Sequence, residues 1–258
     1  MQEAVSSARS RFVAALKRTL PLSRQVRIAA AVVPVSMRFR FALAASRWQG
    51  RLTRAIGGNG ALTEALMRDH WLRELTLHGP FPIPWRLHGR EVLDRYAVPG
   101  PVLYCTTHIP LAEFPMRTLL ECGYPVPIPV ADPGRIVGSG EYLITGMAER
   151  VAAIPVSGHV LARMRTLLLQ GKTVVCLADS QFGGEFSANP LRLLGRLHVP
   201  MIFVWAELAA DGVVEVTFQQ PPHPYCETEQ AIEENLAVLR DVNDRILRGL
   251  GFTPRSPA

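Results

Sequence analysis

His108 and Glu113 stand five residues apart, just beyond the apolar stretch 102–106. They are the first place in this 258-residue chain where residue types and spacing allow acid–base chemistry. An imidazole takes a proton near neutral pH. A carboxylate accepting from one ring nitrogen fixes the tautomer and leaves the other nitrogen free to act. Held in that way, His108 would deprotonate a hydroxyl as it attacks a carbonyl carbon, an assistance worth about 100- to 10,000-fold, or roughly 3 to 5 kcal/mol of barrier. The spacing also constrains the backbone. In unbroken helix, five residues turn two side chains about 140° apart. The pair therefore meets only if His108 lies in a loop and Glu113 in the first turns of a helix. Pro110 supports that break, since proline suits a helix start. Backbone N–H groups near Leu111 would then face a developing oxyanion.

The elements that must position these groups follow from hydrophobic pattern. Residues 102–106 read as a strand, 111–122 as a helix stopped by Gly123, and 126–130 as the next strand. Residues 141–150 read as helix, 152–156 as extended, and 159–170 as a helix that Gly171 ends. Segments 173–178 and 201–208 are buried strands by length and β-branched content, and 213–218 follows an Asp211-Gly212 turn. Ile232, Leu236, Leu239, Val242, Ile246 and Leu250 recur at spacings of three and four, which makes 228–250 an amphipathic helix with Thr228 as its cap. Alternating strands and helices predict an α/β domain with a mixed, largely parallel central sheet flanked by helices. Such folds present functional groups beyond the carboxyl ends of their strands, where His108 falls.

Residues 79–258 form this expected domain, and residues 1–78 form a basic helical arm. In the arm, arginines from Arg9 to Arg54 are spread among Ala, Leu, Val and Phe. The arm is interrupted at Gly57-Gly58-Asn59-Gly60 and ended by Gly79-Pro80. Two readings stay open: an arm lying on an anionic membrane surface, or a helical layer packed on the domain. The most apolar window, 28–46, carries Arg38 and Arg40 at its centre, so a spanning helix is not expected. The first twenty residues lack the uninterrupted apolar core of a secretory signal.

The net charge of +6 comes almost entirely from arginine, Lys17 and Lys172 being the only lysines. It fits a generic surface, or attraction to phospholipid headgroups or an acidic carrier protein. No nucleic-acid-binding motif accompanies it. The hydrophobic fraction of 48% suits a protein working beside a membrane or on an apolar ligand. Four cysteines with no paired spacing read as small buried residues in a reducing compartment. Cys105 and His108, three residues apart along a strand, point to opposite faces and make a poor nucleophile–base pair. His159, His198 and His223 lack ligand spacing, so no metal is expected. Gly138-Ser139-Gly140 and Gly171-Lys172-Thr173 are incomplete phosphate loops, so no cofactor is expected. Thr106 and Thr107 lie close to His108 and are placed to line its site, although threonine at a strand end is ordinary.

Three blocks carry a resemblance: WRLHGREVLDRYAVPGPVLYCTTHIPLAEF, LLLQGKTVVCLADSQ and NPLRLLGRLHVPMIFVWAELAADGVVEVTFQQPP, which together cover most of residues 85–222. In order and approximate spacing they resemble the bacterial lysophospholipid and lipid A biosynthesis acyltransferase family. That family's motif, a histidine, four residues, then an acidic residue, falls on His108 and Glu113. The resemblance implies His108 as general base and Glu113 as its orienting partner. It also implies an acyl thioester donor on acyl-carrier protein or coenzyme A. Arg150 matches a region where the family carries an arginine, and is read either as a phosphate-binding guanidinium or as a helix-ending cation. Asp179 corresponds to a family aspartate, and is read either as a site residue or as a turn-forming carboxylate. Pro110-Leu111-Ala112 replaces the family's usual Gly-Asn-Trp and reshapes the expected acceptor pocket.

The expected function is therefore acyl transfer to a hydroxyl or amine of a lipid or lipid-like acceptor, on the inner face of the cytoplasmic membrane. Two alternatives stand beside it: the same chemistry on a soluble metabolite or carrier-bound intermediate, and a non-catalytic lipid-binding homologue.

Overall fold

Strands that are apolar on both sides need cover on both sides, and this requirement organises the molecule. The computed structural model describes residues 84–249, apart from 99, 110, 134–135, 137–139, 145–148, 180–183 and 210–212. The expected arm, Pro110 and the Asp211-Gly212 turn lie outside the described residues. In chain order the elements are β1 (Trp85–His88), α1 (Arg90–Tyr96), β2 (Leu103–Thr106), α2 (Phe114–Glu121), β3 (Ile128–Ala131), β4 (Glu141–Leu143) and β5 (Arg150–Ala152). There follow β6 (Ile154–Pro155), α3 (Val160–Leu169), β7 (Val174–Leu177), α4 (Asn189–Leu197), β8 (Met201–Leu208), β9 (Val214–Gln219) and α5 (Glu229–Gly249).

Seven strands make one sheet in the order β1-β9-β8-β2-β7-β3-β6. From β8 through β6 the strands are parallel. β9 runs antiparallel to β8, and β1 runs parallel to β9. The fold is thus α/β with a mixed, mostly parallel central sheet flanked by helices. Every residue of β2 is buried, and the period of two divides them between two cores. Tyr104 joins Leu93, Phe114, Leu119, Val204, Val216 and Phe218 beneath α1 and α2. Leu103 and Cys105 join Met164, Leu168, Leu194, Phe203, Leu236 and Ile246 beneath α3, α4 and α5. Burying one such leucine or phenylalanine stabilises the fold by about 1.5–3 kcal/mol. The cap expected for α5 is present, with Ala231 N–H donating to Thr228 Oγ1 at 3.1 Å.

Two expected helices differ in the structure. The described residues of 141–150 are not helical: β4 and β5 pair antiparallel. Tyr142 and Ile144 are both buried, a period of two that suits a strand. The helix expected from residue 111 begins at Phe114 instead. Leu111 takes a left-handed conformation (φ 64°), and Pro115 occupies the first turn, where its missing N–H costs no intrahelical bond.

Sequence pattern did not single out β1, α1 or α4. In α4, Gly195 has a packing reason. A Cβ there would lie 1.9 Å from the Cys226 carbonyl oxygen, so only glycine lets the helix approach that loop.

Candidate active site

The carboxyl ends of β2 and β7 lie side by side, Thr106 in register with Leu177. After β2 the chain passes to α2 in one helical layer. After β7 it passes to α4 in the other layer. Adjacent parallel strands whose connections leave to opposite faces open a crevice, the usual ligand position in an α/β sheet. His108 follows β2 into this crevice, and Asp179 follows β7. Ala178 N–H donates to the Thr106 carbonyl at 2.8 Å and carries the pairing one step past the strands. Beyond Asp179 the chain folds back, with Ser187 N–H donating to the Ala178 carbonyl at 2.7 Å and Phe186 bridging to Asp179.

Asp179 is fully buried at its side chain and is occupied with His108. His108 Nδ1 lies 2.9 Å from Asp179 Oδ1, and the His108 backbone N–H reaches Oδ1 and Oδ2 at 2.9 and 3.0 Å. An ionised carboxylate can only accept, so Nδ1 carries the proton in the neutral ring and Nε2 holds the free lone pair. Hydrogen bonds from both backbone and ring offset the cost of burying this charge. The imidazole itself is 36% exposed.

The carboxylate that meets the imidazole is Asp179, where the sequence led to the expectation of Glu113. Among the described residues, Asp179 is the only side chain bonded to the imidazole. Glu113 sits nearby at the N-cap of α2, half-buried, with no side-chain capping bond. Leu111 takes the chain through a left-handed turn and α2 begins only at Phe114, so Glu113 stands at the cap rather than within the helix. The structure thus joins His108 with a residue that sequence reading had left between a site role and a turn role.

Thr107 is buried between β2 and His108, and its carbonyl accepts from Ile109 N–H at 2.8 Å, which holds the bend that carries the imidazole. Thr106 just below is also buried, and its hydroxyl has no hydrogen-bond partner among the described residues. The sequence already places it with Thr107 beside His108, although a threonine at a strand end carries little signal of its own.

Arg150 lies in β5, exposed, with its guanidinium 3.3 Å from Glu141 across the hairpin; no described contact joins it to His108. It is not a helix-ending cation, because no helix ends there. Cys105 is in register with Cys176 on β7, and both are free and buried. A hydrogen bond with Cys176 and burial together push the Cys105 thiol well above its ordinary range, which makes it a poor nucleophile. Among the described residues no group of three or more His, Cys, Asp or Glu is placed to hold a metal ion.

No protein-family model matches the chain, and no curated protein matches it significantly.

Proposed function

We propose that the chain is an acyltransferase that moves a fatty acyl group from a thioester, on acyl-carrier protein or coenzyme A, to a hydroxyl or amine of a lipid or lipid-like acceptor. The observation that carries this reading is the buried Asp179 carboxylate holding His108 through Nδ1, with the imidazole partly exposed beyond the ends of β2 and β7.

In the proposed reaction, His108 Nε2 takes the acceptor's proton as its oxygen or nitrogen bonds to the thioester carbonyl carbon. The imidazolium is stabilised by Asp179 through Nδ1–H. The tetrahedral intermediate then collapses, the C–S bond breaks, and the departing sulfur takes the proton back from Nε2. The chemistry needs no metal or redox partner. Support also comes from the sequence resemblance, whose blocks fall on β1 through His108, on β7 with Asp179, and on α4 through β9. Those elements form most of the sheet and the crevice. Relative to that family's motif, the orienting role passes here to Asp179, and Glu113 is a second carboxylate at the start of α2. We place the reaction at the cytoplasmic membrane face, where lipid acceptors reside. Among the described residues, no helix is long and apolar enough to cross a membrane.

The test is thiol release from long-chain acyl-coenzyme A and acyl-carrier protein, with lysophospholipid and a crude lipid extract as acceptors. Wild type should release thiol only with an acceptor present. His108→Ala should lower that rate by about 100- to 10,000-fold with an unchanged circular dichroism spectrum. Undiminished turnover by a folded His108→Ala protein would overturn the mechanism.

A further inference from the structure

We propose that the outer face of α3 is a contact surface for an anionic lipid bilayer. Residues 151–178 contain no Asp or Glu, yet they hold Arg163, Arg165 and Lys172. All three are exposed, and none has a side-chain hydrogen bond or ion pair among the described residues. Four exposed arginines elsewhere are paired: Arg86 with Glu215, Arg150 with Glu141, Arg192 with Glu229 and Arg245 with Glu207. Among the described residues, the α3 cations have no such pairing.

The arrangement around the helix identifies the occupant. At roughly 100° per residue, Met164 and Leu168 point into the core, as their burial shows. The opposite face is centred on Ala162, Thr166 and Leu169, and Leu169 is 60% exposed. Arg163 and Arg165 fall on the two flanks of that face. Val156, just ahead of α3, is exposed as well. An apolar or small centre bordered by cations is the pattern of a helix lying in a membrane interface. There the aliphatic residues enter the acyl boundary while the arginines extend sideways to headgroup phosphates. α3 also leaves the carboxyl end of β6, which runs parallel to β2 through β3 and β7. Its first turn therefore lies on the sheet edge that carries His108. The inference does not require acyl transfer, because its test involves no turnover.

The experiment uses the full chain with Leu169→Cys in a Cys122→Ser background, the other cysteines being buried. The new thiol carries a bimane fluorophore, and the vesicles contain phosphatidylglycerol and phosphatidylcholine with brominated acyl chains. A helix seated about 5–10 Å into the interface brings the label to the bromines, so emission should fall by roughly half. The same label at Val98→Cys, after α1, should be unaffected. Arg163→Glu and Arg165→Glu should each weaken vesicle partitioning about fivefold at low salt. A Leu169 label that stays bright while the protein co-sediments with vesicles would overturn the proposal and assign this face to an acidic protein surface. Charge reversals that leave quenching and partitioning unchanged would overturn it too.

Discussion

The crevice at the ends of β2 and β7 and the segment leading into α5 each pair a histidine with a carboxylate, and the two pairs differ in what surrounds them. At the crevice, the Asp179 side chain has no exposure and also accepts the His108 backbone N–H. Ahead of α5, His223 and Glu234 are 41% and 47% exposed and meet in water's reach. The attraction of two charges grows as the local dielectric falls, so similar contacts differ greatly in strength. What fixes the second region is the fully buried Asn235. It accepts from His223 N–H at 3.0 Å and donates to the His223 carbonyl at 2.7 Å. A buried polar residue that satisfies backbone is thus the common structural device. Only at the crevice is that residue also the carboxylate that orients an imidazole.

Substitutions sharpen this contrast. Asp179→Ala should lower thiol release by about 100- to 10,000-fold, since the tautomer is no longer fixed. It should also cost about 1–3 kcal/mol in urea unfolding, because a part-buried N–H loses its acceptor. Loss of activity at full stability would separate the two roles assigned to Asp179. Glu113→Ala should give a smaller loss of turnover than Asp179→Ala; a deeper loss would return the orienting role to Glu113. Asn235→Ala should lower stability by about 1–3 kcal/mol, seen as an earlier urea midpoint, while turnover per folded molecule stays at wild-type level. His223→Ala should shift thermal unfolding least, because its pair with Glu234 is exposed to water. The His223 hydrogen bond, with a lesser one from Gln230, holds the Glu234 carboxyl below its ordinary pKa. A depressed carboxylate stabilises the fold above its unfolded pKa and loses that contribution as pH falls through the lowered value. The small gap between His223→Ala and wild type should therefore close on acidification, and a gap that widens would contradict the pairing.

The strands of the crevice were legible, because runs such as 102–106 and 173–178 are apolar and β-branched. Their adjacency was not. Asp179 stands 71 residues from His108 in the chain, and nothing in either segment says that β7 inserts between β2 and β3. Glu113, only five residues away, was the natural local partner, and the left-handed turn at Leu111 just before it has no glycine or asparagine to announce it. The hairpin of β4 and β5 was hidden by helix-forming Glu, Leu, Met and Ala, whose propensity tertiary pairing overrides. α4 was hidden by Pro190 and Gly195, residues that usually mark breaks. Long elements fared best: α5 and β8 lie within a residue of expectation, since their patterns extend over several turns or pleats.

The separation of His108 from Asp179 also says when the site comes into being. Local helices such as α3 and α5 form from neighbouring residues and are available early. Parallel strands must close long loops before any pairing rewards them, and so they assemble late. A half-folded chain would hold much of its helix and no oriented imidazole. During refolding, helicity should return first, and the capacity to activate an acceptor should appear only when the middle of the sheet closes.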